Sequence, residues 1–355
     1  MKFLIAPDAF KGTLTSKQAS EAIAKGIHTV FSDAELLIYP LADGGEGSAS
    51  VLATILGDDQ FLIESATLIG LHLPNMIATP VEDRGSAAIG DAIGDAIIQA
   101  VEDGERNFII ALGGSATNDA GMGMLMGLGM DACDGDGNPV KPTLAGLLEL
   151  DRIDISKLDR RLSECRFTIL SDVGSPLCGK SGATATYGPQ KGIQLSEVDH
   201  VDTAVSNFSN LCSEQFGFNP SKHDGSGAAG GLGYALLLLG GEAVSGAAYI
   251  MEATGFRQQL TGADWVVTGE GCSDLQTLNG KLPVVVADEA IKAGIPIALL
   301  SGAIEAKARE TLLERFDIAI SATPDGLSHD EVKHQAAALL SDAAAIFAER
   351  VKRGD

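Results

Sequence analysis

Apolar segments of this chain repeatedly end in short loops of glycine and carboxylate, and that recurrence narrows the fold more than any other feature. Phe3 to Ala6 runs into Pro7-Asp8-Ala9-Phe10-Lys11-Gly12, and Leu36 to Leu41 runs into Ala42-Asp43-Gly44-Gly45-Glu46-Gly47. Far downstream, Asp264 to Thr268 runs into Gly269-Glu270-Gly271-Cys272-Ser273-Asp274. In an open parallel α/β sheet, ligands bind just beyond the carboxyl ends of the strands, so three such loops predict one shared site. The pattern reads as an enzyme that handles phosphate.

The order of elements supports the α/β class. Thr15 and Gln18 have the spacing of a capping box, and Ala19, Ala22, Ile23, Ile27 and Val30 recur at helical intervals. The tail repeats the rhythm: Trp265 to Thr268, a helix around Pro283 to Ala293, Ile295 to Leu300, a helix around Ala306 to Arg315, Ile318 to Ala322, then a helix over Asp330 to Lys352. Both chain ends therefore look doubly wound and are expected to complete one parallel sheet, from residues 1–67 plus 260–355. Residues 68–259 are richer in glycine and less regular, and read as an inserted second α/β domain, with the active site in the cleft between the two. Its expected strands are Met76 to Val81, Ala87 to Ile89, Phe108 to Leu112 and Phe167 to Leu170, and Tyr234 to Leu239 reads as buried helix.

Composition removes several classes of function. A chain of 355 residues, 45% hydrophobic, can bury a large core, and its net charge of -23 disfavours nucleic acid or an anionic membrane surface as partner. No segment is long and apolar enough to span a bilayer, and the apolar stretch after Met1-Lys2 is too brief for a secretory signal. The five cysteines (Cys133, Cys165, Cys178, Cys212, Cys272) form no CxxC pair, so a reducing cytoplasm is the expected location. The six histidines form no HExxH or comparable metal pattern.

Several loops could carry chemistry. Gly113-Gly114-Ser115-Ala116-Thr117-Asn118-Asp119-Ala120-Gly121 lies between an apolar strand and the helical run Met122 to Leu128, as a phosphate cradle would. A tight turn with an Asn or Asp cap is the competing reading. Gly225-Ser226-Gly227-Ala228-Ala229-Gly230 matches GxGxxG, but no strand precedes it, so it reads as a second anion loop or as close helix packing. No Walker A motif is present. Phosphoryl transfer needs cations on the transferred oxygens and carboxylates for Mg²⁺. Lys11, Lys191 and Lys281 lie beside glycines, and Asp8, Asp43, Glu46, Asp172 and Asp274 lie at expected strand ends. Taken singly, each acid could equally cap a helix and each lysine could be a solvated surface charge.

Taken in order, these motifs resemble the bacterial glycerate kinase family, the type I family unrelated to P-loop kinases. The resemblance rests on Ala6-Pro7-Asp8 with Phe10-Lys11-Gly12, Pro40 to Gly47, Ala111 to Asp119, Tyr187-Gly188-Pro189-Gln190-Lys191-Gly192, Gly227 to Gly233 and Thr268 to Lys281, and covers essentially the whole chain. It implies a Rossmann-like parallel-sheet domain formed by both chain ends around an inserted α/β domain. It also implies ATP-dependent phosphorylation of D-glycerate with Mg²⁺, at the 2-hydroxyl to give 2-phosphoglycerate.

On that resemblance Asp8, Lys11, Asp43, Glu46, Asp274 and Lys281 are the expected catalytic residues, with Asp43 and Asp274 on the metal. Gly44, Gly45, Asp172, Gln190, Lys191 and Gln276 are expected to bind substrate. Gly113, Gly114, Ser115, Thr117, Asn118, Asp119, Gly227, Gly230 and Gly231 are expected to hold nucleotide phosphates. The chain departs from the family pattern at Ala9, at Gly174-Ser175, and at Cys272, where similar sequences carry arginine; an arginine clamps a carboxylate in a way that cysteine cannot. A kinase of another small hydroxy acid is therefore the first alternative. A dinucleotide-dependent oxidoreductase and a non-catalytic metabolite sensor are the others. Whether two copies pair as a homodimer stays open.

Overall fold

The computed structural model describes residues 1–45, 47–53, 56, 60–99, 106–278, 280–324 and 326–354. The chain divides into two compact units: Met1–Asp43, Ser50–Ile55 and Ala247–Asp355 form the first, and Gly44–Ala49 and Leu56–Gly246 the second. These bounds differ from the expected 1–67 plus 260–355 for a physical reason. Strand Gln60–Glu64 pairs in parallel with Asn107–Ala111 and so belongs to the second unit, whereas Ala247 onward belongs to the first.

The first unit is built on a five-stranded parallel sheet. Its spatial order is Glu35–Ile38, Lys2–Ile5, Trp265–Thr268, Ile297–Ser301, Ile318–Ser321, which in chain order is 2-1-3-4-5. The order reverses between Lys2–Ile5 and Trp265–Thr268, where Phe3 pairs with Trp265 and Ile5 with Val267. Phe3, Leu4 and Ile5 are fully buried, as a strand covered on both faces requires.

Helix Ser16–Val30 begins at the Thr15–Gln18 capping box. It packs against His329–Arg353, whose own start is fixed by a Ser328–Glu331 capping box. The two helices approach so closely at Gly26 that a Cβ there would lie 2.1 Å from the Ser341 carbonyl oxygen. Between the strands, helix Leu282–Ala293 starts with a proline in its first turn and ends at Gly294 in a left-handed conformation.

The second unit carries a four-stranded parallel sheet, Gln60–Glu64, Asn107–Ala111, Arg166–Leu170 and Glu242–Val244 in spatial order. Phe61, Phe108 and Phe167 share one register line across it, with ring centroids 5.4 and 5.2 Å apart. Two expected strands are helical instead. Pro74 opens helix Pro74–Ala78, followed by a 3-10 turn at Val81–Asp83. Ala87–Gln99 is a helix because Ile89, Ile93 and Ala96 recur on one buried face. The run Leu232–Leu238 is the buried helix that its apolar residues imply. Among the described residues no helix is long and apolar enough to cross a membrane.

Candidate active site

The strand order of the first unit places a crevice at its switch point, where a ligand has access to backbone groups from two diverging crossovers. A cavity of about 510 Å³ lies there, and Asp8, Lys11, Asp43, Glu270, Cys272 and Lys281 line it. All three loops that follow apolar strands in the sequence thus contribute to one cavity within one unit. Their alignment is fixed by backbone bonds: Asp8 N–H donates to the Gly269 carbonyl at 2.8 Å, and Gly302 N–H to the Glu270 carbonyl at 3.0 Å. Gly269 must be glycine, because a Cβ would stand 1.9 Å from the Leu300 carbonyl oxygen.

Charges crowd this cavity. Asp8 is 5% exposed, and burial, followed by the nearby Asp43 carboxylate, raises its pKa well above the usual carboxylate range. Glu270 is 6% exposed; its Oε1 accepts from Thr277 Oγ1 at 2.7 Å and from Ser273 Oγ at 3.0 Å, while its Oε2 lies 3.6 Å from Lys281 Nζ. Burial raises Glu270 too, against the lowering pull of Lys281. Glu270 is absent from the residues picked out by sequence. Its signal, a carboxylate flanked by two glycines after an apolar run, was present in Gly269-Glu270-Gly271.

Asp274 is placed differently from Asp43. Its Oδ1 accepts from the Gln276 and Thr277 N–H groups at 2.8 and 3.1 Å and pairs with Lys281 at 3.6 Å, so it also holds the turn that leads to the lysine. Gln276 is exposed on that turn. Glu46 lies outside the described residues. Among the described residues no three of His, Cys, Asp and Glu gather to hold a metal by themselves.

The second unit has its own buried polar cluster. Lys191 ends helix Ala183–Lys191 and is 4% exposed; its ammonium donates to the Thr117 carbonyl at 2.7 Å and to Ser115 Oγ at 3.3 Å. Burial pulls its pKa down to about 7, with Asp119 opposing. Asp119 accepts four bonds, from the N–H groups of Ser86, Gly121 and Gly123 and from Ser86 Oγ, which is the arrangement of a loop cap. Asn118 Nδ2 donates to Thr184 Oγ1 at 2.9 Å, while Asn118 Oδ1 and Thr117 Oγ1 are buried without a hydrogen-bond partner among the described residues.

Gly44, Gly113, Gly227 and Gly230 permit close backbone approach. A Cβ on Gly113 would stand 2.3 Å from Gly45 Cα, one on Gly44 3.0 Å from the Leu170 carbonyl, one on Gly227 2.3 Å from the Pro176 carbonyl, and one on Gly230 2.1 Å from the Thr117 carbonyl. Gly114 and Gly231 have φ of +78° and +95°. Ala120 and Ala229 also adopt positive φ, +56° and +53°, in the two loops that Ala120 N–H joins by donating to the Gly230 carbonyl. Asp172 is half-buried beyond strand Arg166–Leu170, and Gln190 is exposed.

A 2-1-3-4-5 parallel sheet with lysines and carboxylates at its switch point defines an α/β enzyme with an anion-handling cavity. The glycerate kinase family profile matches residues 3–61 and 54–352 of the chain. A glycerate kinase of Halalkalibacterium halodurans is 34% identical over 96% of this chain and 96% of its own length. A glycerate 2-kinase of Escherichia coli is 36% identical over 86% of each. A crystal structure assigned as glycerate kinase 2 of Salmonella typhimurium superposes with a TM-score of 0.77, 32% identity, and coverage of 100% and 99% of the two chains. The chain belongs to the glycerate kinase family. It is accordingly a kinase that acts on an alcohol group.

Proposed function

We propose that the enzyme transfers the γ-phosphoryl group of ATP to the 2-hydroxyl of D-glycerate, giving 2-phosphoglycerate and ADP. The observation that carries this reading is one cavity of the first unit, in which Lys11 and Lys281 line the same space as Asp8, Asp43 and Glu270. The hydroxyl oxygen forms the new bond to phosphorus, the bond to the ADP oxygen breaks, and the hydroxyl proton passes to a carboxylate. Asp8 suits that last role, since burial and a neighbouring negative charge raise its affinity for a proton. Lys11 and Lys281 supply positive charge to the transferred oxygens and to the carboxylate of the acid.

The donor set also fits Mg²⁺. Mutual repulsion between Asp8 and Asp43 is what a hard cation relieves, and Mg²⁺ is commonly held by one or two carboxylates plus phosphates, without a full protein cage. Asp43 would hold it, with Asp274 behind Lys281. When bound, the ion neutralises charge on the phosphate oxygens.

A second acceptor is favoured by one observation: Cys272 lines the cavity and is exposed, so no guanidinium stands at that point to clamp a carboxylate. The oxidoreductase reading gains nothing, because Gly227 and Gly230 face protein backbone. The test is ADP release by the enzyme with MgATP and a panel of small hydroxy acids. D-glycerate giving the highest kcat/KM supports the proposal, and a clear preference for another acid replaces the acceptor.

A further inference from the structure

The lining of the cavity at the switch point divides along the sheet. Asp8, Lys11, Asp43, Glu270 and Lys281 follow strands Lys2–Ile5, Glu35–Ile38 and Trp265–Thr268 and make a charged end; Ala322, Leu327, Val332, Ala336 and Leu339 follow the edge strand Ile318–Ser321, on the other side of Ile297–Ser301, and make an apolar end. Thr323 follows the same edge strand and also lines the cavity. A volume of about 510 Å³ falls in the range of roughly 300–1,000 Å³ that encloses drug-sized ligands, far more than a three-carbon acid fills.

The apolar end is made by a stripe that the protein covers only in part. Along helix His329–Arg353, Leu340, Ala343, Ala344 and Phe347 are at most 3% exposed and pack into the core with helix Ser16–Val30. Val332, Ala336 and Leu339 continue the same face toward the helix start, are half-buried, and line the cavity. An occupant that satisfies both ends carries a flat or compact apolar group joined to a polyanion.

Resting on the phosphoryl-transfer reading above, we infer that this apolar end receives the base ring of the donor nucleoside triphosphate. Its phosphates then lie toward Lys11 and Lys281, and the first unit by itself recognises the nucleotide. The ring is held by contact with Leu327, Val332, Ala336 and Leu339.

Calorimetry with ADP and with inorganic pyrophosphate, on the whole protein, tests the assignment. Pyrophosphate reports the polar end alone, and the excess affinity for ADP reports the nucleoside. Ala336→Leu fills the apolar end with an added side chain at little cost in helix propensity, and is expected to weaken ADP about tenfold while pyrophosphate stays unchanged. Val332→Ala removes contact area, creates no crowding, and is expected to weaken ADP about threefold. The same variants raise KM for MgATP and leave KM for D-glycerate unaltered. ADP affinity equal to wild type in both variants overturns the assignment, as does a rise in KM confined to the acceptor, which would give the apolar end to a longer-tailed acid. Absence of turnover with D-glycerate would sink the proposed reaction yet leave the ADP comparison able to decide the subsite.

Discussion

Lys281 Nζ lies 3.6 Å from Glu270 Oε2, joining a lysine whose side chain is 32% exposed to a glutamate whose side chain, taken alone, is 8% exposed. The buried member is fixed by Ser273 and Thr277, so it holds the lysine at the cavity wall. In the proposed reaction this lysine supplies charge to the transferred phosphoryl group, and removal of one preorganised donor typically costs about 10²–10³ in kcat. Lys281→Met is expected to lose activity in that range while its circular dichroism matches wild type. Wild-type kcat in the variant would remove the lysine from the reaction.

In the proposed reaction Asp8 sets stability against activity. Its folded value lies above the ordinary 3.8, so the folded protein holds the proton more tightly than the unfolded chain. The stabilisation is complete below pH 3.8 and is lost as pH rises through the raised folded value. Asp8→Asn keeps an oxygen for the Ala9 N–H, which now donates to Asp8 Oδ1 at 2.7 Å, and removes the titration. Thermal melts should show the variant gaining on wild type as pH rises from 4 to 8, with turnover abolished. A parallel pair of melting curves across that range would contradict the burial argument.

Lys191 behaves in the opposite sense. Its folded value of about 7 lies below the ordinary 10.5, so between those values the unfolded chain binds the extra proton and stability rises with pH. Lys191→Met lacks that slope. The stability advantage of wild type over the variant should widen from pH 7 toward pH 10, measured by denaturant midpoints at each pH. An advantage that is constant or shrinks with pH would show that the buried ammonium keeps its proton throughout.

Gly113→Ala tests the packing role of a loop that the sequence offers as a phosphate cradle. The added methyl meets Gly45 Cα at 2.3 Å, and overpacking of this kind typically costs about 1–3 kcal/mol. The expected result is a lower denaturant midpoint with an unchanged m-value. Wild-type stability together with a higher KM for ATP would return the loop to nucleotide binding.

The first unit was legible because its strands are short, apolar on both faces and punctuated by glycine and carboxylate, so Phe3, Val267 and Leu299 announce a covered parallel sheet. Thr15–Gln18 declared its helix through local chemistry alone. The second unit was harder to read. Ala87-Ala88-Ile89 looks like a strand over three residues, and only the spacing out to Ala96 reveals a helix. Strand Gln60–Glu64 escaped notice because its place depends on a partner at Asn107–Ala111, far along the chain. Of the residues that line the cavity, Asp8, Lys11, Asp43 and Lys281 stand out by their loops; Glu270 carries the same glycine–carboxylate signal, but its burial and the hydroxyls that reach it across a turn show only in the fold. The glycines near 113 and 230 share one composition with anion cradles, and only the neighbouring backbone shows that they permit close approach.

The most direct test of the account is ³¹P NMR of the purified enzyme with MgATP and D-glycerate, which reports turnover and the position of the new phosphoester together. The account predicts growth of the 2-phosphoglycerate resonance with matching formation of ADP. A 3-phosphoglycerate resonance would contradict the regiochemistry, and the absence of any new phosphoester would contradict the assignment of D-glycerate as acceptor.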